Sequence, residues 1–287
     1  MKKCLMVAFV LASSVSVYAQ QPKYTHKKFV NYFDTAEFKI SHTDNGWTKT
    51  YILSHLAIWD VDDNNTTHVF GDEECLINIE GPFKNGKKNG IFTTYVLDSG
   101  NHSHRYKVYE QTYINDKLNG QWKVYNLKGT LVSFQTYKND SLDGISRNYW
   151  IDGKTIMHES EYFPGSHKHI EREFTSEGKL QKELSFLGDE LSGFCKEYYP
   201  DGSLNRTAFF EHGVLNGSFK YYHPGGKLWI DEIYKDGKEW TVLGNYDSNG
   251  KSREKGTLKN GNGTVYLYNE DGSLREVLTL INGEEKK

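Results

Sequence analysis

The chain has 287 residues and a formal net charge of −3, a balance that points to neither nucleic acid nor an anionic surface as a partner. Hydrophobic residues make up 37%, but 20 of them are Tyr; with Tyr left out and the 27 Gly counted in, the apolar share is roughly 39%, below the about 45–50% of an ordinary globular chain. That excludes one large spherical core, while 14% aromatic residues favour a thin structure in which rings are buried against neighbours and Tyr keeps its hydroxyl wet.

In chain order, the first element is a leader. Met1-Lys2-Lys3 is cationic, Leu5 to Val17 is apolar, and Val17-Tyr18-Ala19 suits signal-peptide cleavage, so residues 1–19 read as a secretory signal. The apolar run is shorter than the about 20 residues of a membrane span. Cys4 precedes it, which does not fit the lipoprotein arrangement, and no later segment has transmembrane character. The expectation is an exported protein, periplasmic, envelope-associated or extracellular, with no integral span once the signal is removed. Export leaves Cys75 and Cys195, which either pair in an oxidising compartment or leave Cys195 packed as a small buried hydrophobe. Two cysteines make no zinc site.

Residues 20–80 are irregular. Gly46-Trp47 and Tyr51 suggest a degenerate repeat, so this stretch reads as an N-terminal cap or as worn repeats. The run Asp60-Val61-Asp62-Asp63-Asn64-Asn65 reads as a turn that separates it from the rest.

From residue 81 to 287 the chain repeats itself. Glycine, an aromatic five residues on, and glycine four after that recur at Gly120-Tyr125-Gly129, Gly144-Tyr149-Gly153, Gly193-Tyr198-Gly202, Gly217-Tyr222-Gly226 and Gly263-Tyr268-Gly272. Phe174-Gly178 and Tyr246-Gly250 keep only the second half, with His169 and Thr241 in place of the leading glycine, so these two units are expected to be distorted. Leu180, Leu204, Leu228 and Leu274 follow the second glycine by two; Tyr137, Phe186, Phe210, Tyr234, Leu258 and Leu280 follow it by eight. Even offsets place both sets on one strand face. The slot at Phe92, Trp122, Cys195, Phe219 and Val265 lies three before the anchor aromatic, hence on the opposite face unless a bulge intervenes. Segments such as Tyr199-Pro200-Asp201-Gly202 and Asn115-Asp116-Lys117 are turn chemistry. A unit of about 24 residues is then a β-hairpin that cannot hide its rings alone and must stack on its neighbours. The fold expectation is all-β: an elongated antiparallel β-hairpin repeat array, a solenoid or a single twisted sheet.

The recurring G-x-[WF]-x-x-Y-x-x-[DG]-G-x-L, with [YF]-x-[ND]-G between units, resembles the MORN repeat variant found in bacterial YwqK-type antitoxin-like repeat proteins. The resemblance implies a β-hairpin array used for binding, with no catalytic residues to carry over.

Other motifs are weaker than the repeat that contains them. Gly81-Pro82-Phe83-Lys84-Asn85-Gly86-Lys87-Lys88 and Gly244 to Ser252 resemble phosphate-binding loops but coincide with repeat turns and precede no helix. His158-Glu159-Ser160-Glu161 lacks the second histidine of a zinc protease. His167-Lys168-His169, His102-Ser103-His104 and Asp60/Asp62/Asn64 are fragments of metal-binding patterns. No nucleophile elbow or Cys–His signature occurs, and no cofactor is implied. The site expectation is therefore the aromatic rows: Trp122, Tyr125, Tyr149, Tyr198, Tyr222 and Tyr268 either pack against one another as cross-strand stabilisers or form an exposed strip for a protein or a surface glycan. Lys196, Glu197 and Lys220 beside them read as a solvated strand face. Three functions fit a chain of this kind: a non-enzymatic exported scaffold, a toxin-neutralising antitoxin or immunity protein, and an envelope-associated carbohydrate-binding module.

Overall fold

A computed structural model describes residues 39–286 except 44–46, 56–57, 62–66, 71–73, 98–103 and 270, with side chains from Ile77 onward. The leader expected at residues 1–19 lies outside the described residues. Every regular element among them is a β-strand, and the chain forms two compact units, residues 1–117 with 125–129, and residues 118–124 with 130–287.

The first unit holds β1 (Lys39–Thr43), β2 (Trp47–His55), β3 (Ile58–Val61), β4 (Thr67–Phe70), β5 (Glu74–Lys84), β6 (Lys87–Lys88), β7 (Gly90–Leu97) and β8 (Arg105–Ile114). All pairings are antiparallel: β1 with β2, β2 with β5, β5 with β7 and β7 with β8, while β3 and β4 form a hairpin of their own. Trp47 and Tyr51 thus lie in a strand opposite Pro82 and Asn78, in the same sheet as the first regular repeat. Asp60 and Val61 are strand residues of β3, opposite His68 and Thr67, not part of a turn; the rest of that run lies outside the described residues.

The second unit begins within β9 (Lys117–Tyr125). It continues through β10 (Leu131–Lys138), β11 (Ser141–Leu142), β12 (Gly144–Tyr149), β13 (Ile156–Tyr162), β14 (Lys168–Phe174), β15 (Leu180–Leu187), β16 (Glu190–Leu191) and β17 (Gly193–Tyr198). β18 (Leu204–Glu211), β19 (Val214–Tyr222), β20 (Leu228–Lys235) and β21 (Lys238–Asn245) complete one antiparallel sheet in which successive long strands pair with their chain neighbours. β22 (Gly263–Tyr268), β23 (Leu274–Ile281) and β24 (Glu284–Glu285) form a separate three-stranded sheet.

Two kinds of turn join the strands, and both are dictated by residue type. After each anchor aromatic the amide of the second glycine donates to a carbonyl three residues back: Gly202 to Tyr199 at 2.8 Å, Gly226 to His223 at 2.9 Å and Gly272 to Asn269 at 3.0 Å. Between units, pairs such as Asn139-Asp140 (φ 51° and 68°), His212-Gly213 (49° and 77°) and Asp236-Gly237 (49° and 78°) hold two successive left-handed residues, the twist a tight hairpin needs. The turns also stack. Gly213 N–H donates to Leu191 O, Gly237 to Leu215 O and Gly261 to Trp240 O, at 2.8, 2.9 and 2.7 Å. At the other end of the strands Tyr199 Oη donates to Tyr222 O at 2.8 Å and His223 Nε2 to Tyr246 O at 3.0 Å. Neighbouring hairpins are thereby locked at both ends, which a repeat too small to fold alone requires.

The register corrects the face assignment. Each return strand carries one extra residue just after its hairpin: Glu197 and Tyr198 oppose Arg206 and Leu204, skipping Asn205, and Tyr221 and Tyr222 oppose Ile230 and Leu228, skipping Trp229. The same irregularity recurs at Tyr149, Phe174 and Tyr268. The bulge turns the leucine over. Leu204 shares a face with Tyr198, whereas Phe210, opposite Gly193, lies on the other face. The strand from the Phe219 slot to the Tyr222 anchor contains no bulge, so those two do face opposite ways. One face, here the core face, collects Cys195, Ala208, Phe210, Leu215, Phe219 and Tyr234, all buried. The tyrosine face collects Lys196, Tyr198, Thr207, Lys220 and Tyr222.

Of the two units expected to be distorted, the Phe174 unit is regular: β14 and β15 pair along their length, and His169 occupies the glycine position stacked between Tyr162 (5.2 Å) and Phe186 (4.7 Å). The Tyr246 unit does depart. Its return strand is replaced by isolated bridges, Tyr246 to Ser252 and Lys259 to Asn262, and the chain instead closes an apolar cluster of Val242, Leu258, Val265, Leu267 and Leu280.

Candidate functional site

The tyrosine face is built on a two-residue period within strands and a one-repeat period across them. Arg147/Tyr149, Arg172/Phe174, Lys196/Tyr198 and Lys220/Tyr222 are cation and ring two residues apart, hence on one face, in every second strand. The return strands place Glu159, Glu183, Thr207 and Asp231 opposite the cations. The result is a row that crosses the sheet in the order Arg147, Glu159, Arg172, Glu183, Lys196, Thr207, Lys220, Asp231.

Ion pairs knit this row together. Arg147 Nε donates to Glu159 Oε2 at 2.8 Å, Arg172 to Glu159, Glu161 and Glu183 at 3.0, 3.0 and 2.9 Å, Lys196 to Glu183 at 2.7 Å and Lys220 to Asp231 at 3.1 Å. Burial works against the charge on Arg172, but the hydrogen bonds to Glu183, Glu161 and Glu159 outweigh it and hold the guanidinium firmly protonated. Burial likewise opposes ionisation of Glu183, and hydrogen bonds from Lys196 and Arg172 win, keeping its carboxyl below the usual range. Lys196 is pushed up, first by its bond to Glu183. These side chains are therefore half-buried partners rather than the freely solvated face expected of Lys196 and Lys220. Glu197 points to the other face and pairs with Arg206.

The six aromatic residues of the expected strip fall into three groups. Trp122 lies on the core face, buried, 6.1 Å from Tyr137. Tyr125, Tyr149 and Tyr268 have engaged rings. Lys107 Nζ sits 4.0 Å from the Tyr125 centroid, and Tyr125 Oη donates to Glu110 at 2.6 Å. Tyr149 lies against Phe134 at 6.3 Å. Arg253 covers Tyr268 at 4.2 Å, and the Tyr268 Oη donates to Glu254 O. Tyr198 and Tyr222 form the third group. They face Leu204 and Leu228, neither ring stacks on another ring or lies under a cation among the described residues, the Tyr198 hydroxyl is among the groups that raise Lys196, and both tyrosines are half-buried. Tyr198 and Tyr222 do not stack on one another; the bulge-turned Leu204, on the strand between theirs, separates them. Beside this pair Phe194, 50% exposed, meets Phe209 edge-on at 5.0 Å on the same face.

Sequence reasoning missed the charge row. Its signal is present, a basic residue two before the anchor at 147, 172, 196 and 220, but its acidic partners come from the return strands and appear only once the bulge is known. Among the described residues no three His, Cys, Asp or Glu are arranged to hold a metal. His169, the described member of the best histidine pair besides exposed His167, is committed to its aromatic stack. Lys88, in the first glycine-lysine segment, lies over Phe92 and Tyr113, and burial lowers its pKa. Cys195 is a free, buried thiol.

The MORN repeat variant family matches residues 215–236, the segment that supplies most of β19, its hairpin and β20. No curated protein matches the chain. Solved structures that match include a crystal structure of TarM and a point mutant of S. aureus TarM in complex with fondaparinux, alpha-GlcNAc-glycerol and UDP. Each is 13% identical with a TM-score of 0.27, over 39% of this chain and 21% of the other, so the match spans about a fifth of TarM.

Proposed function

With residues 215–236 as a MORN repeat variant and the neighbouring hairpins as its copies, we propose that the protein is a non-enzymatic, exported repeat protein that holds a partner on its tyrosine face. MORN repeats commonly serve as binding modules, and the observation that carries the reading here is the contrast among equivalent rings. Tyr125, Tyr149 and Tyr268 have their rings engaged, while Tyr198 and Tyr222, one repeat apart, do not. A rigid ion-paired row beside them fixes the backbone and presents polar groups without mobile side chains. The leader composition supports export, and the partner is a protein or a surface glycan. Resemblance to YwqK-type proteins makes a stoichiometric antitoxin or immunity role one form of the same reading.

The test is capture of envelope material on the immobilised full chain, wild type against Tyr198→Ala/Tyr222→Ala. Loss of a captured partner with the double variant supports the reading; identical capture by both removes it. An antitoxin role predicts that deleting the gene alone slows growth and that deleting a neighbouring toxin gene restores it.

A further inference from the structure

Resting on that reading, we propose that the patch around Thr207 binds an uncharged, linear hexopyranose polysaccharide laid across the strands. Three features of the patch select this chemistry.

The first is spacing. Tyr198 and Tyr222 occupy equivalent positions in β17 and β19, separated by the single strand β18. Two strand spacings amount to about 9–10 Å, of the order of two sugar rings in an extended chain. A ligand crossing the strands meets a tyrosine at every second ring, and the intervening ring lies over Leu204. Flat apolar faces at that interval suit the C–H face of a pyranose, which stacks on an aromatic ring as any apolar surface does.

The second is charge order. Along the row the sign alternates, Arg147, Glu159, Arg172, Glu183, Lys196, and resumes at Lys220 and Asp231. At Thr207 the alternation breaks and Lys196 and Lys220 face each other across it, yet each is offset from its far side, by Glu183 at 2.7 Å and Asp231 at 3.1 Å, so the balanced row gives neither a polyanion nor a polycation a sustained attraction. A neutral hydroxyl-rich chain can use both signs, because a hydroxyl both donates and accepts. Each lysine ammonium has three donors and spends one on its carboxylate, Lys196 on Glu183 and Lys220 on Asp231, so donors remain on both sides of Thr207.

The third is the rim. Phe194 and Phe209 lie on the far side of the lysines from Tyr198 and Tyr222, on the same face. The polar row is thus bordered by rings on both sides at this one place, where the carboxylate of the pattern is replaced by Thr207 and the floor is lower. Ring borders with a polar centre match the amphipathic cross-section of a glycan chain better than the continuous apolar core of a protein interface.

The experiment is affinity electrophoresis of the full chain in native gels containing hydroxyethyl cellulose, galactomannan or polygalacturonate. Retardation by either neutral polymer is expected. Tyr198→Ala/Tyr222→Ala should weaken the apparent affinity at least ten-fold, Tyr198→Phe/Tyr222→Phe should retain most of it, and Tyr268→Ala, whose ring is already covered by Arg253, should bind as wild type. Circular dichroism and urea unfolding of each variant separate lost binding from lost fold, and the Phe pair keeps the test decisive if the Ala pair does not fold. Retardation by polygalacturonate alone, retardation that the Ala pair leaves unchanged, or none in any gel overturns the proposal. Capture of a protein partner that depends on Tyr198 and Tyr222, with no glycan retardation, overturns the glycan and leaves the binding face standing; absence of any Tyr-dependent partner removes both.

Discussion

Arg172 Nη1 lies 3.0 Å from Glu159 Oε1 across β13 and β14, and the same guanidinium reaches Glu183 on β15 at 2.9 Å, so one side chain ties three consecutive strands. Arg172 and Glu159 are 21% and 11% exposed, which sets them apart from the surface pair Lys238–Glu284 at 45% and 71%. Removing a cation from half-buried carboxylates leaves them uncompensated, a loss between that of a surface pair and a fully buried one. Arg172→Met is expected to destabilise the protein by about 1–3 kcal/mol. Lys238→Ala should not change stability measurably. Urea midpoints of the two variants, with m-values compared, check both.

The strands, the hairpin spacing and the turn types were legible because glycine and asparagine at positive φ are chemically conspicuous: Gly202, Gly226 and the His212-Gly213 pair sit where their spacing required. The face of each leucine was not. Asn205 and Trp229 look like ordinary strand residues, and nothing in their identity says that each is the extra residue of a bulge. That one uncounted residue moved Leu204 and Leu228 to the tyrosine face and separated the anchor rings. It also hid the charge row, since the pairing of Arg172 with Glu183 depends on register, not on spacing within a strand. His169 shows the reverse: a lost glycine was legible as a defect, yet stacking between Tyr162 and Phe186 absorbs it.

Glycines at equivalent hairpin positions should differ in cost. Gly202 and Gly153 both have left-handed backbones, φ +86° and +66°. A Cβ on Gly202 would meet nothing within 4 Å, while one on Gly153 would fall 2.2 Å from Thr130 Cγ2 and 3.1 Å from Leu131 O. Gly202→Ala is expected to cost about 1–2 kcal/mol from backbone strain alone. Gly153→Ala should cost roughly 1–3 kcal/mol more, because Thr130 must move. Thermal or urea unfolding of the pair measures the difference.

Cys195 is buried on the core face, and burial pushes its thiol above the ordinary value. The thiolate that reacts with alkylating reagents is therefore scarce near neutral pH and shielded when present. Iodoacetamide at pH 7.5 should leave the Cys195 peptide unmodified in the native protein and label it fully in urea, as read by peptide mass mapping. Rapid native labelling would contradict the packing described here.

Acid should loosen the hairpins through a repeated turn carboxylate. Asp152, Asp201, Asp247 and Asp271 each accept backbone or hydroxyl hydrogen bonds from residues two to four later, and these hold all four below the ordinary Asp value. A carboxyl whose pKa is lowered by folding contributes stability above its unfolded pKa, about 3.9, and loses it as pH falls through the lower folded value. The urea midpoint should therefore drop as pH is taken below about 4. Asp201→Asn with Asp271→Asn, which keep an acceptor but no charge, should show a smaller drop over the same range.

Thr207 interrupts the alternation of the charge row, facing Lys196 on one side and Lys220 on the other. A carboxylate at this position would stand opposite two ammonium groups whose present partners, Glu183 and Asp231, lie on their far sides. Thr207→Glu gives up some β-propensity, a term of a few tenths of a kcal/mol on a scale that spans about 1 kcal/mol. Two cross-strand pairs of opposite charge, each contributing about 0.2–1 kcal/mol, outweigh that loss. The variant should be more stable by roughly 0.5 kcal/mol at low salt, with the gain shrinking at 1 M NaCl, where the Debye length is about 3 Å. Thr207→Lys, which sets three cations in a row, should be less stable, and salt should narrow its deficit. Equal stability of the two variants at low salt would mean that the opposed register of Lys196, Thr207 and Lys220 is not the one the protein adopts.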